Sequence, residues 1–142
     1  MSLVKFVKSL AKKILRTGRR VDRILDEPVD FVALPMLDGE LGVLHGRAPL
    51  IGRLGYGELR LRQGTTTRRF FVDGGFAQVR SDVVTVLTPR AIRGEDIDVQ
   101  NARQTLESTP SAAPQPETQD AQRKNRERAR AQLRIAERVR SR

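Results

Sequence analysis

Short stretches of alternating apolar and polar residues fill the middle of the chain, from residue 26 to about residue 88. In GELRLRQ, Leu59 and Leu61 lie on one face of an extended strand and two arginines lie on the other. Four more stretches, VDFVALP, RRFFVDG, FAQVRS and DVVTVLT, have the length of a strand. The tripeptide DGG at residues 73 to 75 predicts a tight hairpin connection, because adjacent glycines tolerate positive φ. This pattern indicates a mainly β domain, a β-sandwich or flattened barrel.

The first 25 residues have a different period. Their apolar positions are three or four residues apart with lysines between them, which predicts an extra basic amphipathic helix at the N-terminus. Such a helix packs on its own domain, docks on a membrane surface or partner, or belongs to a targeting sequence, since residues 1 to 21 contain no acid. The apolar positions are Leu3, Val7, Leu10 and Ile14.

Helical periodicity returns after the β region. EDIDVQNARQTLES predicts a short helix that Asp96 or Asp98 can cap. The proline-containing stretch TPSAAPQPETQ predicts a connection, and residues 118 to 142 predict a longer helix with a thin apolar stripe. Together they form a C-terminal helical hairpin, weakly packed and adjustable in position. The stripe consists of Ala129, Leu133, Ile135, Ala136 and Val139.

These patterns divide the chain into three segments. Residues 1–25 form the basic amphipathic segment, residues 26–94 the β-sandwich domain, and residues 95–142 the helical hairpin with its proline-rich connection. A chain of 142 residues has room for one such domain and an appendage.

The net charge of +10 lies at the two ends of the chain. Residues 1–25 have eight Lys or Arg against one acid and residues 96–142 have ten against seven, whereas residues 26–95 have nine of each. Nucleic-acid domains place the basic surface on the folded body and add stacking aromatics, which are only 4% here. We therefore expect no nucleic-acid partner. A basic membrane-surface or nucleic-acid-binding module with an unrelated β domain stays as the alternative function.

Residues suited to catalysis or metal binding are scarce. The chain has no cysteine, and its single histidine, His45, is expected to be an exposed turn residue. No catalytic or metal-binding residue is therefore predicted, and the chain is not expected to be an enzyme. No apolar run approaches the roughly 20 residues that span a bilayer.

Four stretches in a fixed order resemble a known family. They are DGELGVLHGRAPLIGRL, FFVDGGFAQV, VTVLTPRAIRGEDID and AQLRIAE. Together they are similar to the epsilon subunit of bacterial and chloroplast F-type ATP synthases, which is equivalent to the mitochondrial delta subunit. The resemblance runs from about residue 27 to the C-terminus and leaves the first 25 residues outside it.

The resemblance implies a non-catalytic central-stalk subunit of the rotary, proton-translocating ATP synthase. Its β domain would contact the gamma subunit and the ring of c subunits, coupling ring rotation to ATP synthesis. Its hairpin would either fold down on the β domain or extend along gamma toward the alpha/beta hexamer, where it would slow ATP hydrolysis. The implied location is the cytoplasmic face of the bacterial inner membrane, peripheral through the complex, or an organelle if residues 1 to 21 are a targeting sequence.

The resemblance also assigns contact residues. Two glycines would let Glu40 project from a loop at the sheet edge toward the c ring, with Arg47 near the ring or gamma. Arg47 stands where the family commonly has a histidine, which removes a titratable group from this contact. The contact-loop residues are Gly39, Glu40, Leu41, Gly42 and Arg47. The basic hairpin residues implied for alpha/beta or gamma are Arg123, Lys124, Arg126, Arg128 and Arg130; a solvated helix face is the alternative.

A further motif is degenerate. In several bacterial members the hairpin binds ATP through Ile/Leu-Asp-x-x-Arg-Ala, and the aligned residues here include Ile97, Asp98, Asn101 and Ala102. Asparagine lacks the cation and forked donors of the arginine it replaces. Arg103 lies about 200° around a helix from that position. We therefore expect weak or absent ATP binding and no cofactor.

The N-terminus departs from the family as well, because it lacks the opening strand that usually ends in VTPE. Either unexpected residues supply that strand, or the sandwich has an uncovered edge. A mis-assigned start of the reading frame would also explain the difference.

Overall fold

Eight strands and two α-helices make up the part of the chain that the computed structural model describes, which is residues 6–10, 21–25, 28–110 and 116–141. The first four strands are β1 (Phe6–Leu10), β2 (Val21–Leu25), β3 (Phe31–Met36) and β4 (Gly39–Val43). The others are β5 (Leu50–Gln63), β6 (Thr66–Arg80), β7 (Val83–Thr88) and β8 (Ala91–Arg93). A 3₁₀ turn, Gly94–Asp96, leads to α1 (Val99–Ser108) and then α2 (Pro116–Arg140).

The strands form one continuous hydrogen-bonded sheet. Their order is β2-β1-β7-β6-β5-β3-β4, and β8 pairs separately with β6. The β1–β7 pair is parallel, and the other pairs are antiparallel. The predicted β domain followed by a pair of helices is confirmed.

The long hairpin of β5 and β6 contributes to both layers of the domain. The face of each strand that points into the core must therefore change partway along the strand. In the first half of β6, Phe70 and Val72 are buried in the main core, whereas in the second half Ala77 and Val79 are. Even-numbered residues therefore face the core before residues 74–75 and odd-numbered ones face it afterwards. Such a switch is how one strand passes from one packed layer to the other.

The sequence-based assignment of a hairpin connection at residues 73 to 75 is wrong. The strand continues through these residues, and Gly74 and Gly75 form its corner at φ of 72° and 106°. A Cβ on Gly75 would lie 1.9 Å from the carbonyl oxygen of Leu87 on β7. The adjacent glycines had indicated positive φ correctly, but a bent strand needs positive φ as much as a turn does.

The main core lies between the two layers and is apolar. Leu34, Leu59, Leu61 and Val43 are each at most 2% exposed, and both halves of the β5–β6 hairpin contribute to it. Burying a side chain of this size stabilises a fold by about 1.5–3 kcal/mol. The rest of this cluster consists of Val29, Val32, Leu54, Phe70, Val72, Ala77, Val79, Val84 and Val86.

The amphipathic helix predicted for the first 25 residues is wrong for the parts that the structure describes. Residues 6–10 form β1, which pairs with β7 and with β2, residues 21–25. The edge of β7 offers unpaired backbone groups, and pairing with it outweighs the helical spacing of a few apolar residues. The opening strand of the domain is therefore present, although the residues that form it lack the VTPE motif of the family. The rest of the segment, residues 1–5 and 11–20, lies outside the described residues.

Both predicted C-terminal helices are present. Asp98, not Asp96, caps α1, with its Oδ1 accepting a hydrogen bond from the backbone nitrogen of Asn101 at 2.9 Å. At the other end of α1, Arg126 of α2 donates to the carbonyl oxygen of Thr109 at 2.9 Å. The two helices therefore pack as a hairpin, and side chains satisfy backbone groups at both ends of α1. Neither described helix is long and apolar enough to cross a membrane.

Candidate functional site

The helical hairpin lies on the outer face of β5 and β6, away from the main core. A second, smaller apolar cluster joins Phe71 of β6 to Ile135 of α2, both at most 1% exposed. Gly94 allows the close approach, because a Cβ there would lie 2.6 Å from Val139 Cγ2. The other buried members are Ile97, Ala131 and Ala136, and Tyr56, Ile92 and Val99 pack against them.

One carboxylate joins the sheet to the C-terminal end of α2. Glu58 is only 8% exposed, and its Oε1 accepts a hydrogen bond from Arg69 Nη1 at 2.6 Å. Its Oε2 accepts from Arg138 Nη1 on α2 at 3.1 Å, and Arg60 Nη1 lies 3.5 Å from Oε1. Lying among three guanidinium groups, this carboxylate binds the helix by charge-assisted hydrogen bonds.

A second carboxylate holds the middle of α2. Arg128 Nε donates to Asp73 Oδ1 at 2.7 Å, and its guanidinium carbon lies 4.4 Å from the centre of the Tyr56 ring. This arrangement combines an ion pair with a cation–π contact. We call the Glu58–Arg138 and Asp73–Arg128 contacts the docking ion pairs.

The five basic hairpin residues predicted as partner contacts do not share one surface. Arg128 faces the sheet, and Arg126 closes the end of α1. Arg123 and Lys124 both bind Asp120 one turn earlier on α2, Lys124 at 2.7 Å. Arg130 is exposed. In this arrangement Arg123, Lys124 and Arg130 face solvent with only local contacts.

Three charged side chains near the start of α2 have shifted pKa values. Hydrogen bonds from Lys124 and then from Arg123 hold the pKa of Asp120 below its usual value of 3.8. The same contacts raise the pKa of Arg123 and the pKa of Lys124. All three groups are solvent-exposed, so they stabilise the first turns of the helix only slightly.

The four residues of the degenerate ATP motif lie together at the start of α1. Ile97 and Ala102 are buried, and Asp98 caps the helix through the backbone of Asn101. A groove at this point is lined by two arginines, two aspartates, four neutral polar residues and three apolar ones. The charged lining residues are Arg90, Asp96, Asp98 and Arg128, and Arg128 is already bound to Asp73.

Glu40 lies within the edge strand β4, not in a loop as the sequence suggested. It is 53% exposed and bound to Arg60 of β5 at 3.2 Å. The register of β4 on β3, with Met36 opposite Gly39, extends the strand through GELGV. A Cβ on Gly42 would lie 3.1 Å from the Phe31 ring. Strand pairing therefore continues through glycines that the sequence pattern assigned to a loop. Gly39, Leu41 and Gly42 lie in the same strand, and Arg47 is exposed in the connection after it.

An exposed apolar pair on the sheet was not found from the sequence. Ile51 of β5 is 74% exposed and Phe76 of β6 is 54% exposed. Ile51 is opposite Gln78 and Phe76 is opposite Arg53, so the two are diagonal neighbours on the outward face. The alternation of buried and exposed positions along β5 and β6 could have revealed the pair, because both residues are apolar at positions that this alternation assigns to the outward face. We call Ile51 and Phe76 the apolar face.

No group of three metal-binding side chains converges within the described ranges. The surfaces with a distinctive character there are the docked hairpin, the edge strand β4 with its following connection, and the apolar face. These surfaces can bind macromolecules, and they offer no catalytic constellation.

Comparison with known proteins identifies the family. Residues 20–94 match the family model described as ATP synthase, Delta/Epsilon chain, beta-sandwich domain. The ATP synthase epsilon chain of Rhodopirellula baltica is 56% identical over 116 residues, which cover 79% of this chain and 88% of that one. The chain belongs to the ATP synthase epsilon-chain family. An epsilon chain of Nitratidesulfovibrio vulgaris is 43% identical over 96 residues, 68% of this chain and 69% of that one.

Solved structures have the same fold. A chain in the mitochondrial ATP synthase of Euglena gracilis, solved with its c-ring, superposes with a TM-score of 0.67 at 25% identity. That match covers 99% of this chain and 79% of the other. A chain from the central stalk and c-ring of the Tetrahymena thermophila enzyme has a TM-score of 0.58 at 11% identity, covering 94% and 96%. Epsilon chains are non-catalytic subunits of the ATP synthase complex.

Proposed function

We propose that this chain is a rotor subunit in the central stalk of a proton-translocating F-type ATP synthase, where it couples rotation of the c ring to ATP synthesis. The observation that carries the proposal is the 56% identity to an epsilon chain over 88% of that chain's length. A two-layered β domain suits the task, because a densely packed core deforms little under load.

The apolar face is proposed to bind the gamma subunit. Exposed large apolar residues in a protein that functions in a complex mark interaction surfaces. Ile51 and Phe76 lie on the sheet face outside the core, and the hairpin packs against other residues of β5 and β6. The apolar face is therefore open to a partner while the hairpin is docked.

The edge strand β4 and the connection after it are proposed to meet the c ring. Glu40 offers a carboxylate that is half exposed although it binds Arg60, and Arg47 offers an exposed cation. Gly39, Leu41 and Gly42 shape the strand that presents Glu40. The two residues offer opposite charges, which fit polar loops of mixed charge.

The hairpin is proposed to be the regulatory part. Docked on the sheet, it keeps Arg128 and Arg138 bound to Asp73 and Glu58. Once released, Arg123, Lys124, Arg126, Arg128 and Arg130 form a basic helix that binds acidic surface on the alpha/beta hexamer or on gamma, and slows ATP hydrolysis.

The hairpin is proposed to bind ATP weakly or not at all. Asn101 replaces the motif arginine. In the adjacent groove Asp96 and Asp98 offset the charges of the two arginines, one of which, Arg128, is already bound to Asp73. Calorimetric titration of the full chain with Mg-ATP tests this, and saturable binding at sub-millimolar ATP would refute it.

The proposed location is the cytoplasmic face of a bacterial inner membrane, with attachment through the complex. The curated relatives with the matches given above are bacterial, which supports this choice over an organelle. Fractionation of cells should recover the chain with membranes that contain the synthase, and washing that strips the central stalk should release it.

The test of the stalk assignment is capture of the gamma subunit from the same source by tagged full-length chain. We expect stable capture, and loss of it in Phe76→Glu, which places a charge on the apolar face. Thr66→Glu is the control, because it adds the same charge at an exposed position at the other end of β6, away from Ile51 and Phe76. Failure of the unmodified chain to capture gamma would refute the assignment. Equal capture by both variants would refute only the assigned surface.

The test of the inhibitory role is the ATPase activity of the assembled complex after removal of residues 110–142. The truncation leaves α1 in place and removes α2. We expect a higher rate of ATP hydrolysis with rotation-coupled proton pumping retained. An unchanged rate would end the inhibitory proposal and leave the coupling role intact.

A further inference from the structure

One carboxylate ties the connection between β4 and β5, residues 44–49, to a distant turn of the sheet. Asp82 Oδ1 accepts a hydrogen bond from the backbone nitrogen of Gly46 at 2.8 Å. Its other oxygen, Oδ2, lies 3.0 Å from His45 Nδ1. Both carboxylate oxygens are therefore used to hold two adjacent residues that are more than 30 positions away in the sequence.

The turn that carries Asp82 is rigid. Ser81 and Asp82 form a two-residue connection between the paired residues Arg80 and Val83, with φ of 49° and 58°. Two consecutive positive φ values define the type I′ turn, whose twist matches the strands that it joins. Asp tolerates this conformation better than most side chains do. The short side chain thus projects from a fixed backbone, with little freedom of its own.

The tethered connection presents two exposed side chains of different character. Leu44 is 58% exposed, and Arg47 is exposed beside it. The connection has one internal backbone bond, from Arg47 N to the carbonyl oxygen of Leu44 at 3.3 Å, and Gly46 has a φ of 78°. A loop ordered before binding loses less conformational entropy when it meets a partner.

We propose that Asp82 is a positioning residue for the rotor contact. It holds residues 44–49 in one arrangement, with His45 and Gly46 as the points of attachment, so that Leu44 and Arg47 meet the rotor together. This inference rests on the proposed function, because it assigns Asp82 a role in the c-ring contact of that connection.

The variants that test this proposal distinguish the effect of losing the Asp82 carboxylate from the effect of a more flexible turn. Asp82→Gly removes both contacts to the loop and keeps a residue that adopts positive φ readily. Ser81→Gly is the matched control, since it introduces the same flexibility one position earlier in the same turn and retains the carboxylate. Asp82→Asn retains an acceptor for the Gly46 amide and tolerates the same φ, so it should restore most of the loop order.

The first readout is loop mobility in the full-length chain. Because the sequence has no cysteine, Ala48→Cys accepts a single nitroxide spin label within the loop. We expect the label to move several-fold faster in Asp82→Gly than in the parent, and at the parent rate in Ser81→Gly. A label equally slow in Asp82→Gly would overturn the proposal, whatever the rotor does.

The second readout is affinity for the detergent-solubilised rotor, gamma with the c ring, from the same source. We expect binding to weaken about five- to ten-fold in Asp82→Gly, to recover in Asp82→Asn and to be unchanged in Ser81→Gly. A mobile loop with unchanged affinity would overturn the positioning role and leave the proposed function standing. Failure of the unmodified chain to bind the rotor would refute the proposed function and the rotor role of the loop together, while the label would still report the tether.

Discussion

The two apolar clusters of this protein hold their parts of the chain together in different ways. The main core is formed by leucine, valine and phenylalanine from five successive strands and has no charged member. The cluster under the hairpin has Phe71, Ile97 and Ile135 as its large buried residues, joined by two alanines and bordered by the docking ion pairs. The first arrangement gives one cooperative unit, and the second gives a contact that can open without unfolding the domain.

The largest expected effect breaks the sandwich at its corner. Gly75→Ala places a Cβ against the Leu87 carbonyl and strains a residue at φ of 106°. We expect it to lower the free energy of unfolding by about 3 kcal/mol or more. Urea denaturation of the full chain measures this. Gly39→Ala is the control, because Gly39 also has positive φ but no atom within 4 Å of the added Cβ. Equal losses in both variants would contradict the close-approach argument.

The next effect separates the two clusters. Leu59→Ala in the main core should lower the free energy of global unfolding by about 2–5 kcal/mol. Ile135→Ala removes a similar side chain that is equally buried, but it should mainly accelerate hydrogen exchange in α2 and leave exchange in β5 and β6 near the parent rate. Arg130→Ala, on the exposed side of α2, controls for the change in helix sequence. Uniformly faster exchange in Ile135→Ala would show that the hairpin and the sandwich open as one unit.

A smaller effect sharpens the role of the docking ion pairs. Arg128→Lys keeps the charge but loses the planar group that stacks on Tyr56 and donates to Asp73. A double-mutant cycle of Asp73→Asn and Arg128→Gln, read by hydrogen exchange in α2, should give a coupling of about 1 kcal/mol. The coupling should fall at high salt, since both groups are partly exposed. If the effects of the two single variants on exchange add up to the effect of the double variant, the ion pair does not contribute to docking.

The smallest effect concerns pH at the start of α2. Contacts with Lys124 and Arg123 lower the pKa of Asp120 in the folded chain, so they stabilise the helix fully above the unfolded value of 3.8. That stabilisation should be lost as pH falls below this value and passes through the lower folded pKa. An NMR titration of the Asp120 carboxyl measures the shift. In Asp120→Asn, the pH dependence of helicity in the first turns should become smaller, and a normal Asp120 pKa would contradict the contacts.

Local patterns predicted the elements whose neighbours in sequence are also their neighbours in space. An aspartate cap for α1, at residue 96 or 98, and the alternation around Leu59 and Leu61 follow from rules that act over a few residues. The corner at Gly74 and Gly75 was assigned incorrectly, because positive φ occurs in turns and in bent strands alike.

The features that the sequence did not predict depend on contacts between residues that are far apart in the chain. The helical spacing near the N-terminus gave no sign that residues 6–10 would complete the edge of β7. Nothing in the local pattern connects Arg128 to Asp73, 55 positions earlier, or Asp82 to Gly46. Each of these contacts depends on which surfaces the folded sheet brings together.

The sequence by itself determined the family, the β domain followed by two helices, and the absence of cysteine chemistry, because these depend on ordered motifs, short-range periodicity and composition. Only the tertiary structure decided that residues 6–10 and 21–25 form strands, that the hairpin docks through Asp73 and Glu58, and that Asp82 holds the connection after β4. The physical reason is that backbone pairing at a sheet edge and ion pairs across the fold form between residues far apart in sequence, where no local pattern records the partner.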